Sequence, residues 1–293
     1  MRISNRVMAS HIKTNLAKQS EQLMKTQLSL ASGKRIHKPS DDPIAMGKVL
    51  DYRTTQKTIE QYQENILDVK TRIEYTEDIL DQMNEYINDA RHIASNPDTV
   101  DKTSLAQEIR NIREQLLSLS NAKYGSNYIF AGHRSDSQPF AQSSPYTYAG
   151  DSGSHQVIIG DGITVEIEAD GEEMFVDSSG TGDSLFQILE DLETAIAEPF
   201  DRDAAQSTLR PLTQINDQIK LARSNFASDY KRLERTDEYW RDFENTVESM
   251  RQSIEDTDVA QMAVEMQAQQ TAYEVLLATS ARVIQPTLID FLG

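Results

Sequence analysis

Residues 43–95 read PIAMGKVLDYRTTQKTIEQYQENILDVKTRIEYTEDILDQMNEYINDARHIAS, and within them a side-chain pattern recurs every seven positions. Tyr52, Ile59, Ile66, Ile73, Leu80 and Ile87 form one row, and Tyr62, Val69, Thr76, Met83 and Ala90 a second. Two such rows place an apolar seam along one side of an α-helix, the spacing by which helices pack lengthwise on one another. At a rise of about 1.5 Å per residue, the segment predicts a helix about 80 Å long. Its start is marked by Asp42 as cap and Pro43 as first helical residue, where the missing amide proton costs nothing and φ is preset. Asn96-Pro97-Asp98 reads as the turn that ends it.

Working outward, residues 99–124 predict a second helix, with Leu105, Ile112 and Leu119 in one row and Ile109 and Leu116 in the other. The short connection makes the two helices antiparallel neighbours. Residues 183–197 predict a helix with Leu185, Leu189, Leu192 and Ile196 on one side, bounded by Pro199. Downstream, Leu212, Ile219, Phe226, Leu233, Trp240, Val247 and Ile254 again lie seven apart. Ile215, Ala222, Phe243 and Met250 supply a companion row that Asp229 and Thr236 interrupt.

The two ends carry the same period. Leu16, Leu23 and Leu30 are seven apart, with Ile12 and Gln27 on the same face. Val259, Met266 and Tyr273 form one C-terminal row, and Met262, Gln269, Leu276 and Val283 the next. Each end therefore has one apolar stripe, too wide to leave in water and too narrow for a core of its own. Residues 1–40 carry eight basic groups against one acid, Glu21, whereas residues 255–293 carry six acids against one base, Arg282. Opposite charge favours pairing the ends side by side, with the middle of the chain folded back between them. Gly33 is placed to end the first helix in the left-handed conformation. Residues 33–42 then form a linker that needs polar anchors, for which Arg35 with Asp41 or Asp42 is the candidate.

The middle differs. Tyr128–Gly132 reads as extended, and a loop-rich stretch follows. Residues 156–159 and 163–167 predict strands around the turn Gly160-Asp161-Gly162. Val165, Ile167 and Ala169 alternate with Glu166, Glu168 and Asp170, which predicts one buried and one wet face. A turn at Asp170-Gly171 and a short strand over Met174–Val176 complete a β-rich insert. The expected fold is mainly α: a long antiparallel heptad-patterned helical rod with paired terminal helices and a small β-rich insert. The expected division is 1–42 with 255–293 as the terminal pair, 43–132 with 183–254 as the rod, and 133–182 as the insert.

Composition narrows function. Twenty-nine Lys and Arg against 47 Asp and Glu give a formal charge of −18, a poor match for a nucleic-acid surface or an anionic membrane. No stretch approaches the roughly 20 apolar residues of a bilayer span. The start lacks the apolar core of a cleaved secretory signal, leaving cytosolic residence and export by a different route both open. There is no Cys, which excludes thiol nucleophiles, disulfides and Cys-based metal sites. The histidines at 11, 37, 92, 133 and 155 lack metal-binding helical spacing and read as ordinary surface. Asp161, Glu166, Glu168, Asp170, Glu172, Glu173 and Asp177 do not follow the ligand order of a calcium loop, and read as a solvated face. The glycines at 150, 153, 160 and 162 make no phosphate-binding motif. No cofactor, metal site or catalytic group is expected.

Several stretches carry a resemblance. Leu30-Ala31-Ser32-Gly33-Lys34-Arg35-Ile36, followed by Pro39-Ser40-Asp41-Asp42-Pro43, resembles the N-terminal signature of the bacterial flagellin family. The opening residues 1–5, Tyr128–Gly132, Tyr148–Asp151, Gln267–Tyr273 and Ala281–Leu292 resemble, within that family, the subunits that join the flagellar hook to the filament. The resemblance implies a non-enzymatic structural subunit, secreted unfolded by the flagellar type III export apparatus with a dedicated chaperone, and needed for motility. It implies self-association in a ring or helical turn, with the preceding hook-associated protein on one side and flagellin on the other. It implies no nucleic acid and no membrane insertion. Ile12, Leu16, Leu23, Leu30, Val259, Met262, Met266, Tyr273, Leu276 and Val283 would pack in the assembly, and Gly33, Arg35, Asp41, Asp42 and Pro43 would form the linker and helix start. The alternatives are flagellin itself, which shares the ends and the long helices, and a non-polymeric coiled-coil adaptor or signalling protein. The latter leaves the complementary ends, the insert and the signature around 30–43 unexplained.

Overall fold

The computed structural model describes residues 5–96, 101–154, 156–166, 170–177, 182–197 and 199–284. In chain order these form α1 (Asn5–Ser32), α2 (Pro43–Ser95), α3 (Lys102–Ser120), β1 (Lys123–Tyr124), β2 (Asn127–Tyr128), β3 (Gln156–Gly160), β4 (Ile163–Glu166), α4 (Gly171–Phe175), α5 (Leu185–Ile196), α6 (Arg202–Ser207), α7 (Leu209–Glu255) and α8 (Val259–Ile284). The chain is mainly helical, with paired terminal helices, two long antiparallel helices and a small antiparallel β-rich insert. No described helix is long and apolar enough to cross a membrane. Two compact units emerge: residues 59–242, and residues 1–58 with 243–293.

In the first of these, the α2 rows are buried as their spacing requires: Ile59, Ile66, Val69, Ile73, Leu80, Met83, Ile87 and Ala90 all face inward. A polar ladder beside this seam shows the opposite run of α2 and α7. Tyr230 Oη donates to Glu74 at 2.7 Å, Arg223 Nε to Glu77 at 2.8 Å, and Asn216 Nδ2 to Asn88 at 3.0 Å. α3 packs on α5, where Arg110 and Arg113 both pair with Glu193.

The predicted helix over 99–124 is shorter, because Asn121 exchanges two hydrogen bonds with the Phe140 backbone and the chain then turns into the β1–β2 hairpin. The predicted turn at residues 96–98 lies mostly outside the described residues. Of the predicted strand over Met174–Val176, Met174 and Phe175 instead end α4, while Val176 is extended and bridges Ser184. The Asp170 side chain accepts from the amides of Glu172 and Glu173, so this residue caps a helix rather than making a hairpin turn. Ile167 and Ala169, expected in the buried alternation, lie outside the described residues. Phe243 and Met250, expected in the α7 companion row, are exposed, while Trp240 and Val247 are buried. A straight helix drifts about 20° per heptad. The drift brings one row to the middle of the seam and carries the other out.

The insert is anchored by aromatic packing. Phe130, Phe140, Phe175 and Phe186 are fully buried, with Phe140 meeting Phe175 and Phe186 edge-on at ring separations of 5.8 and 5.1 Å. They join one continuous core with Leu80, Ile109, Leu189 and Leu212 of the helices. The β3–β4 hairpin turns through Gly162, whose φ of +67° favours glycine. Asn65 of α2 and Arg232 of α7 donate to the Ile158 and Thr164 carbonyls of this hairpin. Its buried tie is Trp240, the single tryptophan, whose ring meets Tyr62 at 5.0 Å and whose Nε1–H donates to the Ile159 carbonyl at 2.8 Å. Replacing it with Phe keeps a ring but leaves that carbonyl without its partner. Trp240→Phe is expected to lower stability by about 1–3 kcal/mol, with faster amide exchange concentrated in residues 156–166. Wild-type exchange in the hairpin would count against this anchoring role.

Candidate functional site

The terminal helices α1 and α8 pack along a single antiparallel seam, the C-terminal end of one beside the N-terminal end of the other. Ile12, Leu16, Leu23 and Leu30 on α1, and Met262, Met266, Tyr273 and Leu276 on α8, are each half-buried. Gln27 is exposed, and the seam position beside it belongs to Thr26. The Thr26 hydroxyl donates to Gln269 Oε1 at 2.9 Å, with the Gln22 carbonyl 3.1 Å away as its other acceptor. This polar layer favours one register over a one-turn slip, which would leave the Gln269 amide facing apolar groups. Val259 is 53% exposed at the start of α8, and the Val283 side chain lies outside the described residues.

The linker between α1 and α2 closes against the break between α7 and α8. Gly33 ends α1 with φ +70°, and its carbonyl accepts from the Thr257 amide at 2.9 Å. The Arg35 amide donates to the Glu255 carbonyl at 2.7 Å, and Lys34 bridges Asp256 as a two-residue antiparallel contact. The Arg35 side chain adds contacts of its own. One guanidinium nitrogen reaches the Ile254 carbonyl at 3.1 Å, and another lies 3.7 Å from Asp42. Asp42 also caps α2 through the Ala45 amide at 3.0 Å. Asp41 accepts from the amides of Lys38 and His37, and these bonds hold its carboxyl below the usual range. Opposite, α7 stops and α8 starts without glycine or proline, because Asp258 caps the amides of Ala260 and Gln261.

At the centre of this junction is Glu255, whose side chain is only 2% exposed. Its carboxylate meets Lys34 Nζ at 2.7 Å from the linker, Arg53 at 2.5 Å from α2, and Arg251 at 2.5 Å one turn earlier on α7. Burial pushes the Glu255 carboxyl up, but hydrogen bonds from Lys34 and Arg251 and the charge of Arg53 outweigh it, leaving the group below its ordinary value. Arg251 also grips Glu248, which accepts from Gln56 of α2 at 2.7 Å. Hydrogen bonds from Arg251 and Gln56 take Glu248 down to about 2. Sequence reading missed this network, since its members are spread from residue 34 to residue 255.

Residues 3–135 match the bacterial flagellin N-terminal helical region. Flagellar hook-associated protein 3 of Escherichia coli is 28% identical over 215 residues, 71% of this chain and 63% of that protein. The Salmonella typhimurium protein of the same name is 27% identical over 217 residues, 69% of this chain and 68% of its own length. The chain thus spans less than two thirds of the first of these relatives. The family match covers rather less than half of the chain, its N-terminal part. A solved chain from Vibrio parahaemolyticus, assigned as a flagellar hook-associated protein, shares the fold with a TM-score of 0.69 at 21% identity, covering 74% of this chain and all of that one.

The stretch over residues 30–43 is the end of α1, the linker and the cap of α2. Its charged residues Lys34, Arg35, Asp41 and Asp42 all make hydrogen bonds or ion pairs within the chain. Among the described residues, no three His, Cys, Asp or Glu are grouped to hold a metal. An open cleft of about 770 Å³ beside α4 and α7 is lined by Glu166, Asp170, Glu173 and Asp229 with Leu221 and Phe226. It lies within the unit of residues 59–242.

The terminal pair also presents a second apolar stripe on each helix. Met24 and Leu28 of α1 are 64% and 50% exposed, and Val264 and Val275 of α8 are 70% and 60% exposed. Two helices cannot cover these faces, and single seams of this kind are marginal in water.

The ionic network gives a pH signature. Glu248 is lowered on folding, so its contribution is complete above the ordinary carboxylate value of about 4.5 and is lost as pH falls toward about 2. Wild type is expected to melt above Glu248→Gln at pH 7, with the gap closing between pH 4.5 and 2. A gap that stays constant over that range, followed by thermal melts, would contradict the assignment.

Proposed function

We propose that this chain is a structural subunit of the bacterial flagellum, joining the hook side to the flagellin filament outside the cell. The observation that carries the reading is the second apolar stripe on α1 and α8, which leaves the terminal pair incomplete until other helices cover it. The names of the curated relatives point the same way, as do the opening MRISN, the segment Tyr128–Gly132, the single small insert and the ending over residues 288–293. These features favour the junction role over that of flagellin.

In this reading, residues 1–42 and 255–293 are the inner assembly domain, residues 43–132 and 183–254 the helical layer outside it, and residues 133–182 the outer insert. Ile12, Leu16, Leu23, Leu30, Val259, Met262, Met266, Tyr273, Leu276 and Val283 pack in the assembly, within one chain and between copies. Gly33, Arg35, Asp41, Asp42 and Pro43 set the linker. Copies join in a ring or helical turn, with the preceding hook-associated protein on one side and flagellin on the other. Before export, the exposed C-terminal stripe is the natural binding surface for a chaperone that delivers the chain to the export apparatus. The insert, inside a stretch from Ser135 to Asp201 with fifteen acids and no Lys or Arg, repels its counterparts and stays at the surface.

Electron microscopy of a strain lacking the protein tests the reading. Hooks without filaments, with flagellin in the medium and filaments regained on adding the protein back, are expected; normal filaments in that strain would reject it. Placing Asp at Leu16 and Leu23 puts two charges into the seam. That variant should keep the fold of residues 59–242 by circular dichroism and melting, yet give no filaments. Full complementation would remove these stripes from the assembly.

A further inference from the structure

We propose that Glu255 is a latch that sets the direction in which the terminal pair leaves the adjoining ends of α2 and α7. The proposal does not depend on the flagellar assignment. Both chain breaks of this unit, the α1–α2 linker and the α7–α8 step, meet at this one residue, through its backbone carbonyl to Arg35 and its carboxylate to Lys34. Its three cations come from three different elements: Lys34 from the linker, Arg53 from α2 and Arg251 from α7. Lys34 ties the end of α7 to the linker and Arg53 ties it to α2, while Arg251, one turn earlier on α7 itself, holds the carboxylate in place, so one group fixes three segments together in a way that no single pair would. Its burial makes the device strong. Removing the negative charge takes the shared counter-ion from Lys34 and Arg53, which are part-exposed, and leaves the more buried Arg251 to Glu248 alone, so the ties from α7 to the linker and to α2 are lost together.

The rest of the junction is able to bend. The Glu255 and Gly33 carbonyls accept the two backbone bonds that cross between the breaks, and Arg35 adds side-chain contacts to Ile254 and Asp42. The α1–α8 seam has its own packing and its own Thr26–Gln269 bond some turns away. With the latch opened, α1 and α8 stay together and swing as one body about the 33–42 and 255–258 segments. Such motion is a hinge at element ends, where a few residues absorb the change. Glu255 is thus a positioning residue.

The absence of Cys allows clean spin labelling of the full chain. Gln27, Lys57 and Gln270 are exposed, on α1, α2 and α8. A label pair from Gln27→Cys with Lys57→Cys reads the direction of the terminal pair, and Gln27→Cys with Gln270→Cys reads the pair itself. In Glu255→Gln, the width of the first distance distribution should at least double while the second stays as in wild type. Lys34→Gln, which keeps two of the three cations, should broaden the first distribution less. An unchanged first distribution in Glu255→Gln overturns the proposal. So does equal broadening of both, which assigns Glu255 to holding the pair together rather than aiming it. If Glu255→Gln does not fold, Lys34→Gln decides: a first distribution as narrow as wild type overturns the latch.

Discussion

The structure depends on two amphipathic helices, at opposite ends of the chain, finding one another along a single seam. Neither can fold alone in water at useful population, because one apolar stripe does not repay the ordering of the backbone. Pairing helps only partly. Each apolar seam residue of α1 and α8 stays half-buried, and the most buried described side chains of the pair are polar, Thr26 and Ser280. The contrast with residues 59–242 is sharp, where Leu80, Phe140, Leu189 and Leu212 lose all contact with solvent. One unit has a complete core. The other has half of one and presents the remainder outward.

The two units solve the same problem of the thin helical layer differently. In residues 59–242, the insert does not stand as a separate globule. Its phenylalanines complete the core begun by α2, α3, α5 and α7, and Trp240 ties the hairpin to the long helices. In the terminal unit no insert is available, and charge takes over the task of fixing geometry. The linker and the helix break are joined by ionic and backbone bonds around Glu255, which define a direction without requiring bulk.

Much of this was legible in the sequence, for reasons that lie in local chemistry. The bounds of α2 follow from Asp42 and Pro43 at one end, and its buried face from rows seven apart. The pairing of the ends follows from two stripes of opposite charge, and the end of α1 from Gly33. What escaped has no local signature. Asp170 followed by glycine reads equally as a turn or a cap, and only the partners of its side chain decide for α4. The short α6 between Asp201 and Thr208 carries no apolar period to announce it. Thr26 and Gln269 break the hydrophobic pattern and look like exposed positions until they face each other. Glu255 looks like one more surface acid in an acidic chain: Arg251 four residues earlier reads as an ordinary helical ion pair, and Lys34 and Arg53 are brought to it by folding alone.

The pairing of the two ends within one chain is the claim on which the assembly reading rests. Cysteines placed at Thr26 and Gln269, in a chain with none of its own, test it through a short bis-maleimide crosslinker applied at low protein concentration. The account predicts an intramolecular link, seen as a monomer whose tryptic peptides from α1 and α8 are joined. Linked dimers alone, or no link under conditions where both thiols react freely, would contradict it.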